Sequence, residues 1–198
     1  MINQTTLNRA ASEVTRRIQT LQCLIPVPMI LVIEGKAGSG KTTLADAIHK
    51  ELGWPVVHAD DFFLQAHQRT PERLAERGGN FDRERFTEEV LIPFGQKTPS
   101  LIHPMDCSTM TLKEKQTIPA GSSLIIEGTY SMHPSLGTYW NYAVFLDVDE
   151  DVQLQRIASR PDHNKVEDFI AKWIPLENYY YNSCGIASMS NIIYKLTD

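Results

Sequence analysis

The sequence predicts an α/β fold in three layers, a parallel sheet with helices on both faces. Three observations predict it. Short apolar, β-branched runs alternate along the chain with segments of helical period. The stretch Gly35-Lys36-Ala37-Gly38-Ser39-Gly40-Lys41-Thr42 matches the phosphate-binding loop G-x-x-x-x-G-K-[ST], and it lies between one such run and one such helix. Apolar runs end in Asp60, Glu127 and Asp147, at the edge of a parallel sheet where ligands bind.

Each element follows from local pattern. In residues 3–22, Leu7, Ala11, Val14, Ile18 and Leu21 recur at helical spacing, which predicts an amphipathic helix packed on the sheet edge. Met29-Ile30-Leu31-Val32-Ile33 reads as a buried parallel strand. After the loop, residues 43–52 read as a helix with Leu44, Ala47, Ile48 and Leu52 on one face, ended by Gly53-Trp54-Pro55. Val56-Val57-His58-Ala59 is the second strand and runs into Asp60-Asp61-Phe62-Phe63. Residues 65–80 read as a polar, mobile, partly helical loop. Residues 82–94 read as a helix, with Asp82 as N-cap and Pro93 near its end.

Residues 95–120 read as a small insertion, with a hairpin or irregular piece over 101–119. Ser123-Leu124-Ile125-Ile126 and Tyr142-Ala143-Val144-Phe145-Leu146 are two more buried strands. Asp149 or Asp151 caps a helix that ends at Arg160. A polar break at 161–165 makes 156–168 a short lid. Residues 166–181 read as a helix kinked at Pro175, and 190–194 as a last strand. The expected organisation is one domain, with residues 1–24 as an N-terminal helix and 25–198 as a core with its lid.

Composition narrows the function. A net charge of −5 over 198 residues argues against a general nucleic-acid or membrane-surface binder. The three cysteines, Cys23, Cys107 and Cys184, are widely spaced and read as free thiols of a reducing compartment. No signal-peptide layout opens the sequence, and the apolar stretch 24–33 is broken by Pro26 and Pro28. The expectation is a cytoplasmic protein whose partner is a small molecule, with neither a nucleic-acid polymer nor a membrane.

The loop carries the chemistry. Its glycines let consecutive N–H groups turn inward onto phosphate oxygens, and the following helix adds partial positive charge. The nucleotide-binding set is therefore Gly35, Lys36, Ala37, Gly38, Ser39, Gly40, Lys41, Thr42 and Thr43. Lys41 is expected on the β- and γ-phosphates of ATP, and the Thr42 hydroxyl on Mg²⁺. Asp60, on the strand beside the loop strand, suits a base that takes the proton of an acceptor hydroxyl. It also suits a plain turn cap, and Asp61 can share either role. Glu127 suits the carboxylate near the magnesium, or a solvated strand-end acid. Arg156 and Arg160 share a helix face and suit charge stabilisation on a transferring phosphoryl group, or a solvated face.

Together the loop, His58-Ala59-Asp60-Asp61-Phe62-Phe63, Phe81-Asp82, Ile125-Ile126-Glu127-Gly128 and the pair Arg156 and Arg160 resemble the uridine kinase and nicotinamide riboside kinase family of P-loop NTPase-fold kinases. Phosphoribulokinase and bacterial pantothenate kinase are more distant relatives. The resemblance implies Asp60 as catalytic base with Lys41, Arg156 and Arg160 on the phosphates, and Thr42, Glu127 and Asp60 around Mg²⁺. It implies that Asp82 holds ribose hydroxyls, with Phe81 as a base-stacking ring and Phe63 and Glu127 lining the acceptor. Trp173-Ile174-Pro175-Leu176 is closer to the riboside kinases. The aromatics and histidine that grip a pyrimidine in uridine kinases are missing from Met105-Asp106-Cys107-Ser108-Thr109-Met110, and His103 is out of register.

The reading is an ATP- and Mg²⁺-dependent kinase of a nucleoside-like hydroxyl, with nicotinamide riboside, pantothenate or a sugar as alternative acceptors. A nucleotide-binding protein without kinase activity is a further reading, because a fold does not set a function. A regulatory GTPase is disfavoured, because Asn164-Lys165-Val166-Glu167 ends in Glu and follows a helix.

Overall fold

The computed structural model describes residues 3–25, 28–106, 109–159 and 166–196. Helix α1 (Gln4–Leu24) starts at Asn3, whose side-chain oxygen accepts the N–H groups of Thr5 and Thr6. Strand β1 (Ile30–Gly35) leads through the phosphate loop into α2 (Lys41–Leu52). Strand β2 (Val56–His58) ends in a 3₁₀ turn, Ala59–Phe62. Short helix α3 (Pro71–Ala75) follows, and then α4 (Arg83–Phe86), a π turn Thr87–Leu91 and α5 (Ile92–Gln96) run on without a break.

The insertion holds β3 (Ser100–Ile102), β4 (Met105–Asp106), β5 (Thr111–Leu112) and β6 (Gln116–Ile118). The pairs β3–β6 and β4–β5 are antiparallel, which is the predicted hairpin. Strands β7 (Leu124–Glu127) and β8 (Tyr142–Asp147) precede α6 (Glu150–Ala158). Helix α7 (Val166–Asp168), a π turn Phe169–Trp173, α8 (Ile174–Cys184) and β9 (Ile192–Lys195) close the chain.

The sheet order is β2-β7-β1-β8-β9 and every pairing is parallel. Strand side chains alternate between faces. Ile30 and Val32 therefore enter a core with Phe62, Phe86 and Tyr180, while Leu31 and Ile33 enter a second core with α1 and α2. Helix α1 packs beside α2: its buried Leu7, Ala11, Val14 and Ile18 share a core with Leu44 and Ile48 of α2. Its Glu13 reaches Tyr194 of β9, the edge strand on that side, as the expected packing on the sheet edge requires.

Pro93 and Pro175 act alike. Proline has no N–H to close a turn. Ahead of Pro93, the N–H of Ile92 reaches Thr87 O, and ahead of Pro175, that of Ile174 reaches Phe169 O. The helix widens into one π turn at each place, where the sequence predicts a kink at Pro175. The segment 65–80 is partly helical as expected, and it is held in place: Arg73 bonds Glu84 (2.6 Å), Gly79 O and Phe81 O, and Arg83 bonds Glu76 (2.6 Å).

Candidate nucleotide and acceptor site

The loop starts where β1 ends, with Gly35 paired to Leu146 of β8. Gly35 has φ +148°, and a Cβ there would stand 2.2 Å from Leu146 O. Only glycine fits. Lys36 turns away from the loop mouth: its Nζ pairs with Asp147 (2.6 Å) and donates to Val148 O. The N–H of Ala37 donates to the buried Glu177 carboxylate of α8 (2.9 Å). Ser39 is fully buried, and its N–H donates to Lys36 O. Gly40 caps α2, and Thr42 and Thr43 stand exposed on its first turn. Lys41 Nζ donates to Gly35 O (2.7 Å) and Lys36 O (3.1 Å), folded back on its own loop.

Beside the loop, Glu127 is buried at the end of β7 and Oε1 takes two donors. Thr42 Oγ1 donates at 3.1 Å, and His58 Nδ1 lies at 2.6 Å. The Glu127 hydrogen bond raises the His58 pKa, against the effect of burial. A hydroxyl and a carboxylate 3.1 Å apart at the mouth of the loop are hard oxygen donors that fit Mg²⁺ completed by phosphate oxygens and water. No group of three or more His, Cys, Asp or Glu that could hold a metal gathers among the described residues.

Strand register brings Asp60 to this edge. His58 pairs with Glu127, and Gly128 approaches the next residue, Ala59, so closely that a Cβ on Gly128 would stand 2.8 Å from Ala59 Cβ. Asp60 follows at once and is exposed, not walled off. Its charge reaches both His58 and Tyr130. The neighbouring Asp61 is more enclosed, and burial raises its pKa against His58, Lys113 and Arg85.

Gly128→Ala is expected to cost about 1–3 kcal/mol, because its φ of +133° and the Ala59 contact both oppose a side chain. It should also shift the turn that carries Asp60. Thermal denaturation checks the first effect, and turnover compared with nucleotide affinity checks the second.

Other expected site residues sit differently. Phe81 is no stacking ring: it has no exposed surface and packs against Phe86 (5.3 Å) and Tyr130 (6.4 Å) in the core. Asp82 is 2% exposed and both its oxygens are engaged, Oδ1 by the Arg85 N–H and Oδ2 by Gln68 (2.9 Å). It caps α4, as its place at a helix start dictates. Phe63 is half-buried beside the site and forms a β-bridge with Phe81.

Arg156 lies against the phosphate loop. From α6 it donates to Gly38 O (3.3 Å) and Leu196 O (2.7 Å), tying the loop to the end of β9. Arg160, the break at 161–165 and Cys107 lie outside the described residues. His103 is held by Glu89, its N–H donating at 2.9 Å.

Two sets of residues escape the sequence reading. Arg85 bridges Asp61 O (2.6 Å) and His103 O (2.7 Å) and lies over the Phe62 ring, binding the insertion to the Asp60 turn. Glu34 is fully buried directly before the loop. The N–H groups of Gly35 (3.1 Å) and Met132 (3.0 Å) donate to it, and so does Tyr180 Oη (3.2 Å). Burial pushes its pKa up to about 7, with Met132, Lys41, Gly35 and Tyr180 opposing. An acid inside Ile33-Glu34-Gly35, in an otherwise apolar strand, was the available signal.

A parallel sheet of this order, flanked by helices and carrying this loop at its carboxyl edge, defines a P-loop NTPase fold. Residues 31–172 match the AAA domain family, and the chain belongs to it. No curated protein matches the sequence. Among solved structures, it is similar to a possible uridine kinase from Bacillus stearothermophilus, at 21% identity and TM-score 0.65, over 92% of this chain and 99% of that one. It is likewise similar to a proposed fructose transport system kinase from Silicibacter sp. TM1040, at 20% identity and TM-score 0.65, over 96% and 98% of the two chains. At such identity the likeness is one of fold. No helix among the described residues is long and apolar enough to cross a membrane.

Proposed function

We propose that the protein is a kinase that moves the γ-phosphoryl group of ATP to a hydroxyl of a nucleoside-like small molecule. What supports this is the exposed Asp60 carboxylate, which directly follows the Ala59–Gly128 contact at the sheet edge and whose charge reaches His58, the partner of Glu127. In this reading Asp60 accepts the acceptor's hydroxyl proton, and the loop N–H groups and Lys41 hold the triphosphate. Mg²⁺, held by Thr42 and Glu127, supplies charge neutralisation on the phosphate oxygens when bound. Nicotinamide riboside, pantothenate and sugars are alternative acceptors, since the buried Phe81 offers no base platform.

An ADP-release screen tests the reading, with ATP or GTP against nucleosides, nicotinamide riboside, pantothenate and sugars. ATP-dependent turnover with one acceptor class is the expected result. ATP binding without transfer to any acceptor would leave a nucleotide-binding protein that is not a kinase.

A further inference from the structure

Five potential donors surround the buried Glu34 carboxyl, and the geometry shows which of their protons it receives. Ser131 Oγ lies 2.8 Å from Gly128 O but 3.3 Å from Glu34 Oε2. Tyr181 Oη lies 2.6 Å from Gly35 O but 3.3 Å from Glu34 Oε1. A hydroxyl has one proton, and a carbonyl can only accept. Both protons therefore go to the carbonyls, and both hydroxyl oxygens face Glu34 as acceptors. Such a shell suits a carboxyl that carries a proton of its own.

Among the described residues, the cation that most favours ionised Glu34 is Lys41. The other titratable groups around it are Tyr130 and Tyr139 from the segment after β7, and Glu177, Tyr180 and Tyr181 from α8. Burial raises the pKa of all four tyrosines, so they stay neutral near pH 7. Glu177 is occupied by the Ala37 N–H. Lys41, on the loop that the nucleotide fills, is a charge of this surrounding that can change place.

We propose that Glu34 takes up a proton from solvent when a nucleotide fills the phosphate loop, and holds it on Oε1 toward the Tyr181 hydroxyl. The nucleotide brings negative charge to the loop and draws Lys41 Nζ off Gly35 O and Lys36 O. Both changes make the potential at Glu34 more negative and raise its proton affinity. Gly35 O keeps the Tyr181 proton when Lys41 leaves, so the carbonyl is not stranded. By linkage, nucleotide then binds more tightly at the lower pH. Tyr181 and Glu34 are positioning residues, since they act through the loop backbone and Lys41.

The inference rests on the nucleotide-binding part of the proposed function and not on phosphoryl transfer. The test is calorimetric titration with magnesium and ADP at about pH 7.5, in buffers of different ionisation enthalpy, on the full chain. Wild type should take up on the order of half a proton per ADP more than Glu34→Gln, for a carboxyl that titrates near neutrality when free. His58 and the ADP phosphates titrate in both proteins, so the difference reads Glu34. Tyr181→Phe, which removes the acceptor of that proton, should show an intermediate value and decides the matter should Glu34→Gln not fold. Equal proton uptake in wild type and variants would overturn the coupling alone. A wild type that binds no ADP would remove the nucleotide reading as well.

Discussion

Asp60→Asn is expected to lower kcat by about 10²–10⁴-fold while ATP and ADP still bind, the range over which a positioned general base acts. The amide keeps the size and the turn geometry of the carboxylate, so the loop, Thr42 and Glu127 stay as they are. It cannot accept the acceptor's proton. Loss of one negative charge beside the phosphates should leave nucleotide affinity equal or slightly higher, because like charges at this edge repel. Turnover with the acceptor found by screening, set against ADP affinity from calorimetry, measures both. Asp61→Asn is the control. Its carboxyl is more enclosed, in the neighbourhood of Arg85, Lys113 and His58, and a smaller loss is expected from it. Undiminished turnover in Asp60→Asn would take Asp60 out of the reaction, and a larger loss in Asp61→Asn would move the base by one residue.

The parts of this site visible in the sequence are those encoded locally. Strand, loop and helix around residues 30–52 follow from β-branched residues, glycines and apolar spacing within a short window, and the structure places them within a residue or two. Asp60 and Glu127 could be picked out because an acid that ends an apolar strand lies on the ligand edge whatever the topology. Contacts made across the fold were not visible. Phe81 sits beside an N-cap, and nothing local says that Phe86 and Tyr130 enclose it. Arg156 looks like one of two cations on a helix face, yet its guanidinium is captured by carbonyls of Gly38 and Leu196. The run Tyr179-Tyr180-Tyr181 reads as helix packing with one exposed ring, and Tyr179 is the exposed one. What spacing does not reveal is that the other two hydroxyls end at Glu34, more than a hundred positions earlier. A buried acid draws its partners from wherever the fold brings donors, so only its presence in an apolar strand is legible.

Lys41→Met is expected to lower phosphoryl transfer by about 10²–10³-fold, the usual effect of deleting one preorganised charge from a transition state. Its effect on the free protein should be much smaller. Lys41 gives two good hydrogen bonds to loop carbonyls, but Gly35 O also has Tyr181 and stays satisfied without it. Lys36 O keeps the Ser39 N–H. Thermal denaturation should therefore shift little while turnover collapses. Lys41→Arg should fail to rescue, because the planar guanidinium is too broad for a position enclosed by Gly35 O, Lys36 O and Thr129 Oγ1. The Met variant also bears on Glu34. Loss of the cation raises the proton affinity of Glu34 in the free protein, so ADP binding should then draw in less of a proton than in wild type. A Lys41→Met protein that transfers phosphate normally would mean that another cation handles the γ-phosphate. One that takes up a full wild-type share of protons would mean that the nucleotide's own charge, and not the departure of Lys41, drives the Glu34 equilibrium.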